Sequence, residues 1–509
     1  MLENIKLREL YIGDTDGNME AQAEDFTELF FDVDGKYNEL LNDNNKFFII
    51  GDKGTGKTYL ANYICKKKTR KQHYEIQDAK KYWIVELVDK GEKESEHSKY
   101  LLCKWFLLEM IAKYIIHKVH PIKARYFKPS PQYKLKNYMD KLENLDFFRD
   151  QVLSSEVSEL SEVGLNGTLN NADRVSSFGG TYKSSSGQNT KTESKRKDVY
   201  EHLNPFEELI KNSIGCKDDV ILIFDDLDEL DKKLVEKPTT DDMILNLIKC
   251  VHDINYEFIR NKKKFRIILL LRRDIIEKLQ KYDANLNKRV TSNGIDLYWM
   301  ISDKTSPENH PLMKMIIHKA RTTCKKLSGC NDKEIYNKLF PENINNKTPL
   351  QYLLDLSFGR PRDFIMYLNH VIKRFPENGC FNASAMKSIS ALYSSDLFNE
   401  LNNQLLFHRE PEFSEDCIRL LRGIRKSTFS YLDAKMYFEK NNSEFHNISN
   451  LNDCLEFLYA NGVIGNTWIN KKNNNKRYFY WAYRRDASQT VNFKKDFVAH
   501  PGLKKKILD

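Results

Sequence analysis

Residues 45–58, Asn-Lys-Phe-Phe-Ile-Ile-Gly-Asp-Lys-Gly-Thr-Gly-Lys-Thr, constrain this chain more than any other stretch. The apolar run Phe47-Phe48-Ile49-Ile50 predicts a short buried strand that ends at Gly51. From there the spacing is Gly51-x4-Gly56-Lys57-Thr58, the full phosphate-loop pattern. Gly51, Gly54 and Gly56 permit positive φ angles, so successive backbone N–H groups can turn inward around phosphate oxygens. Lys57 is expected to place a point charge against the β- and γ-phosphates, and the Thr58 hydroxyl to ligate Mg²⁺. Tyr59 to Ile64 then continue as a helix, whose N-terminal dipole favours an anion. The alternative is a glycine turn between strand and helix with no ligand. Three glycines, the Lys-Thr pair, the strand before and the helix after all weigh against it. A nucleoside triphosphate is the expected ligand, contacted by Gly51, Asp52, Lys53, Gly54, Thr55, Gly56, Lys57, Thr58 and Tyr59.

At 509 residues the chain is too long for one ordinary domain, and about three are expected. No apolar stretch approaches the length of a membrane span, and the first residues lack the apolar core of a signal peptide. A cytoplasmic protein is the plain reading. The nine cysteines are scattered singly, without a C-x-x-C pair, and Cys324 and Cys330 have no histidine cluster nearby. Reduced thiols are therefore expected rather than zinc or a disulfide framework. The net charge of +9 is mild for this length and permits nucleic-acid contact without arguing for it.

Residues 1–44 read as a helical approach that packs on the nucleotide core and helps cover the base. Tyr82 to Val88 read as a second strand, and residues 99–119 as a helix apolar on all sides, hence mostly buried. Residues 154–198 are rich in Ser, Gly, Asn and Thr and end in Lys195-Arg196-Lys197. They read as a disordered linker or as a polar β-hairpin, which the Leu165-x-Gly-x-Leu169 alternation favours. Val220 to Phe224 form an all-apolar strand ending in Asp225-Asp226-Leu227-Asp228-Glu229. Such a strand supplies a carboxylate for the metal, here Asp225, and one to polarise water, here Asp226. Asp226 stands where many ATPases carry the longer Glu. A third apolar strand, 265–271, ends at Arg272, which is placed to reach a γ-phosphate. The alternative for Arg272 is a surface arginine after a strand. Strands separated by helices argue for an α/β fold with a parallel, helix-covered sheet.

From residue 306 the pattern turns helical, over 310–324, 331–339, 349–357 and 363–374. Between the last two lies Gly359-Arg360-Pro361-Arg362-Asp363. Pro361 fits the start of a helix, which puts Arg362 in its first turn, facing bound phosphate or pairing locally with Asp363 or another acid. Residues 415–426, 431–440 and 451–460 are helical again, followed by strands at 463–466 and 477–481. Three helices and a β-hairpin predict a winged helix. Residues 409–509 carry 18 Lys and Arg against 12 Asp and Glu, so +6 of the net charge lies here. The third helix, however, holds Asp453 and Glu456 and no Lys or Arg, which leaves base readout unsupported. The cations sit in the hairpin connection (Lys471, Lys472, Lys476, Arg477), after it (Arg484, Arg485) and in the tail.

With these landmarks placed, the chain resembles the AAA+/STAND branch of P-loop ATPases, and more narrowly a bacterial group of stand-alone members. The residues carrying the resemblance are Gly51 to Thr58, Leu227-Asp228-Glu229-Leu230, Arg272-Arg273-Asp274-Ile275 and Gly359 to Asp363. Asn461 to Asn466, Phe479 to Arg484 and His500-Pro501-Gly502-Leu503 complete it. The resemblance implies a nucleotide domain over 1–305, a helical lid over 306–408 and a winged helix over 409–509. It also implies ATP rather than GTP, Mg²⁺, switch-like hydrolysis and a link to antiviral defence. The absence of an Asn-Lys-x-Asp motif after the loop independently disfavours guanine. An oligomer or a separate effector protein is the expected partner; no membrane is expected.

Three readings of function follow. The first is an ATP-dependent switch in which Lys57, Asp226, Arg272 and Arg362 serve the chemistry. The second is a DNA-associated loader or regulator using the winged helix and the basic insertion. The third is an ATP-bound scaffold with negligible turnover.

Overall fold

A computed structural model describes residues 5–78, 83–92, 94–143, 202–225, 238–300, 306–470, 476–485 and 490–508. The polar stretch 154–198, Asp226 with the acidic residues after it, and the hairpin connection 471–475 lie outside the described residues. The chain divides into two compact units. One comprises Met1–Lys67, Asp231–Val235 and Leu270–Asp509; the other comprises Lys68–Leu230 and Glu236–Leu269.

Among the described residues the strands are β1 (Phe48–Gly51), β2 (Gln72–Asp78), β3 (Asp219–Asp225), β4 (Phe265–Arg272), β5 (Gly294–Asp296), β6 (Thr428–Phe429), β7 (Ile464–Asn470), β8 (Lys476–Tyr480) and β9 (Asp496–Ala499). A five-stranded sheet has the order β2-β3-β4-β1-β5. The pairs β1–β5, β2–β3 and β3–β4 are parallel. The fold is therefore mixed α/β, with the parallel sheet that strands alternating with helices require.

β3, and β4 as far as Leu269, belong to the second unit; both strands are largely apolar and buried along nearly their whole length. Helices Glu96–Tyr114 and Pro238–Arg260 belong to the same unit. The first buries residues on every side, including Leu102, Trp105, Leu108 and Ile111, as its composition predicts. It then tightens into a short π-helical turn, Ile115–Val119. The expected strand at 82–88 is a helix instead, Trp83–Gly91. Its Ile84, Leu87, Val88 and Gly91 recur at helical spacing, and Leu87 and Val88 are buried. The strand is β2, ten residues earlier. It lies at the sheet edge and carries polar residues on alternate positions, and its Tyr74 hydroxyl donates to Asp219 Oδ2 (2.8 Å).

In the first unit, β1 leads into helix Lys57–Lys67. Four helices, Pro311–Thr323, Asp332–Leu339, Pro349–Leu356 and Pro361–Arg374, lie where the sequence places them. Helix Ser390–His408 closes this bundle. Capping explains the clean starts: Asn331 and Thr348 each form a capping box, with Glu334 and Gln351. Three more helices follow, Pro411–Ile424, Tyr431–Lys440 and Leu451–Ala460. They are joined by a four-stranded sheet of order β6-β9-β7-β8, antiparallel throughout. The sequence pattern shows β7 and β8 but not β6 or β9.

The end of this sheet is keyed into the helical bundle. His500 is fully buried, stacks on Phe358 (4.6 Å between ring centroids) and packs edge-on against Trp481. Its Nδ1 accepts the Gly502 N–H (3.1 Å), which leaves Nε2–H to donate to the Tyr483 hydroxyl (3.1 Å). Burial pushes the imidazole down to about 3, with Arg484 adding to the effect. Because the unfolded histidine binds protons more readily, this site stabilises the fold fully above pH ~6.5 and progressively less as pH falls toward 3. Between pH 7 and pH 5 the wild-type chain should lose about 2 kcal/mol that a His500→Gln variant does not lose. Urea unfolding of both proteins at the two pH values measures it.

Candidate functional site

The loop after β1 is bent by two glycines in the left-handed region, Gly54 (φ 83°) and Gly56 (φ 93°). Gly51 does not need that freedom, being the extended last residue of β1. Space is its constraint: a Cβ there would lie 2.4 Å from Thr55 Oγ1. Turning the loop inward leaves its carbonyls pointing away, and each of the first five is met by a donor. Lys57 Nζ donates to Gly51 O (3.1 Å) and Asp52 O (3.2 Å), and Thr55 Oγ1 also donates to Asp52 O (2.8 Å). Arg360 Nη1 donates to Lys53 O (3.0 Å), and the Arg362 N–H to Gly54 O (3.4 Å). Trp299 Nε1, just beyond β5, donates to Thr55 O (2.9 Å).

A phosphate fits these residues. A Cβ at Gly56 would meet nothing closer than 3.9 Å. Helix Lys57–Lys67 begins directly behind it with Thr58 in its first turn, and Lys57 is a mostly buried cation at 9% exposure. Positive φ glycines, helix N-terminus and lysine together supply donors and positive potential.

The segment 359–363 lies on this loop. Gly359 (φ 70°) starts the turn, and Arg360 caps helix Pro361–Arg374. Arg360 and Asp363 form a buried pair, 6% and 0% exposed, with Nε and Nη2 both on the carboxylate and Phe358 N–H as a further donor. Burial works against the guanidinium charge, but Asp363 and Glu400 outweigh it and push Arg360 upward. Arg362 packs on the loop itself: a Cβ at Gly54 would lie 3.1 Å from Arg362 Cβ. Its guanidinium donates to Thr15 O and Glu400 Oε1, each at 3.0 Å. Burial would raise the Glu400 carboxyl, yet Arg360 and Arg362 hold it below its usual range. The pairing with Asp363 thus belongs to Arg360, and Arg362 pairs with another acid, Glu400.

Arg272, at the tip of β4, is 3% exposed and pairs with Asp274 two residues on, Nε to Oδ1 at 3.0 Å. Arg273 meets Asp296 at the end of β5 (2.5 Å), and Arg485, past β8, joins the same carboxylate while its guanidinium lies 3.8 Å over the Tyr298 ring. The Glu277 carboxyl is raised, by burial first and then by Asp52 and Asp274. Asp225 ends β3 in the second unit at 5% exposure, and Asp226 lies outside the described residues. Among the described residues no group of three or more His, Cys, Asp or Glu is placed to hold a metal. No helix among them is long and apolar enough to cross a membrane.

Arg360 and Trp299 were not singled out by sequence, although Asp363 inside a helix start that buries it requires a cationic partner. Glu20 and Lys319 also escaped notice. Lys319 falls on the apolar face made by Leu312, Met315, Ile316 and Ala320, and a lysine at a core position signals a buried acid.

Residues 310–402 match the family model described as the FunZ-associated C-terminal helical domain. That stretch carries Lys319, Arg360, Arg362 and Glu400. No curated protein matches the chain. Among solved structures the chain is similar to the Walker-type ATPase PABY2304 of Pyrococcus abyssi, with 13% identity over 97% of this chain and 96% of that one, at a TM-score of 0.36.

Removing one partner of a buried ion pair costs far more than removing an exposed one. Arg360→Ala, which strands Asp363, should lower unfolding free energy by about 3–5 kcal/mol. Arg362→Ala, whose side chain is 29% exposed, should cost about 1 kcal/mol or less. Chemical denaturation of the two variants separates these roles.

Proposed function

We propose that the chain is an ATP-binding and ATP-hydrolysing switch of the AAA+/STAND type. Residues 51–59 hold the triphosphate, with Lys57 on the β- and γ-phosphates. Thr58 would hold the magnesium that screens phosphate charge, and the acidic-strand motif assigns Asp225 to the metal and Asp226 to the water. The observation that carries the reading is the engagement of the loop by the segment 359–363, through Arg360 on Lys53 O and Arg362 on Gly54. A helical lid whose arginines touch the phosphate loop exchanges contacts when phosphate arrives or leaves. Arg362, held by Glu400 and Thr15, is the arginine nearest to making that exchange; Arg272 makes it only by leaving Asp274. The three helices and the antiparallel strands β7 and β8 support reading residues 409–509 as a winged helix. The stacking of His500 on Phe358 supports its moving with the helical segment that precedes Arg360. The partner is a separate effector protein or further copies of the chain, and antiviral defence is the setting the resemblance suggests.

A DNA-associated role draws support from the exposed Lys476 and Arg477 on β8, and opposition from Asp453 and Glu456 on the third helix. Duplex affinity that falls steeply with salt supports that role; no binding at low salt removes it.

Lys57→Ala should weaken ATP binding by roughly ten- to hundredfold, the loss of a charge-assisted contact. Titration calorimetry reads it, and wild-type affinity in the variant would end the loop assignment. Purified wild-type protein should turn over ATP, and Asp226→Asn should not. Absence of turnover in the wild type, with binding retained, leaves the scaffold.

A further inference from the structure

Behind the phosphate loop three elements meet at a buried charge. Glu20, in the short helix Gly17–Glu20, is 3% exposed; Lys319, in helix Pro311–Thr323, is 2% exposed. Lys319 Nζ pairs with Glu20 Oε1 and donates to the Tyr59 hydroxyl (3.2 Å). That hydroxyl in turn donates to the same Glu20 oxygen (3.3 Å), and the Asp14 N–H donates to Glu20 Oε2 (3.2 Å). Lys319 also lies over the Tyr59 ring, 4.7 Å from its centroid. Gly13 (φ 114°) makes room: a Cβ there would sit 3.1 Å from Lys319 Nζ and 3.0 Å from Ile365 Cδ1. Burial lowers the lysine's proton affinity, with Glu20 opposing.

Burying two charges is costly, and apolar side chains of the same volume fill such a site at no loss of stability. What the charges add is direction. A hydrogen-bonded ion pair holds its partners in one geometry, whereas an apolar contact tolerates sliding. Tyr59 directly follows Lys57 and Thr58, and Lys319 stands on a helix packed in the same bundle as Arg360 and Arg362. The triad therefore ties the first turn of the phosphate-loop helix to the N-terminal segment and the bundle at once.

We propose that Lys319 and Glu20 are positioning residues, a latch that fixes the first turn of helix Lys57–Lys67 for triphosphate. This deepens the nucleotide reading above and rests on it for its ligand. Lys319→Met alone strands a buried carboxylate and is open to misfolding. The informative proteins are Tyr59→Phe, which removes only the hydroxyl, and the double variant Lys319→Met with Glu20→Leu, which removes both charges. Two measurements apply to the full chain. Amide hydrogen exchange without nucleotide should quicken at residues 14–20 and 59–62 in the double variant, while its melting temperature stays at or above that of wild type. Calorimetry with ATP should show affinity lowered roughly tenfold in the double variant and by a smaller factor in Tyr59→Phe. Unchanged exchange at those segments, or unchanged ATP affinity in both variants, overturns the latch. If wild type binds no ATP, the nucleotide reading fails by itself, and the exchange result still decides whether the triad fixes the helix.

Discussion

The backbone carbonyls of the phosphate loop impose the requirement that the rest of the first unit answers. A chain that aims its N–H groups at a ligand must point its C=O groups elsewhere, and buried carbonyls need donors. Here the donors for residues 51–55 come from Lys57, Thr55, Trp299, Arg360 and Arg362. Only two of these lie in the loop itself. The others are contributed by the chain past β5 and by the helix starting at Pro361. The bundle is thus bonded to the loop through the loop's own backbone, so a change of loop shape acts on Arg360 directly.

Arg360 can serve there because its charge is settled elsewhere. Two of its nitrogens are committed to Asp363, which leaves Nη1 for Lys53 O and puts Glu400 within 3.9 Å. Glu400 in turn holds Arg362. Two arginines and two acids form one network with unequal members: Arg360–Asp363 is sealed from solvent and is structural, while Arg362–Glu400 is partly open and free to be exchanged. That asymmetry separates the arginine that is fixed in the contact from the one whose partner is partly exposed to solvent.

The loop, the apolar strands β3 and β4 and the four bundle helices were legible because each has a strong local signature: glycine spacing, apolar runs, and helices that begin at a Pro or behind a capping residue. Legibility failed where tertiary context decides. Gln72–Asp78 forms a strand only because β3 offers it an edge, and its own residues are largely polar. Residues 83–91 hold apolar residues that suit a strand over a short window and a helix over a longer one. At the site, the pattern Arg-Pro-Arg-Asp fixes the helix start but not which arginine turns inward. Arg360 precedes the helix with extended backbone, and that places its side chain back over Asp363. Lys319 was hidden for a different reason: its partner is 299 residues away.

The placement of β9 has a consequence for how the molecule is made. It sits between β6 and β7, although the chain writes both of those strands first. As residues emerge from the ribosome in order, β6 and β7 must wait apart until residue 499 has been added, and the cleft around Phe358 stays unfilled until His500 arrives. During that interval, unpaired strand edges and an open aromatic cleft face the surroundings, the condition under which nascent chains attract chaperones or one another. The antiparallel sheet and the aromatic cleft at Phe358 are thus completed together, and only after residue 500 has been added.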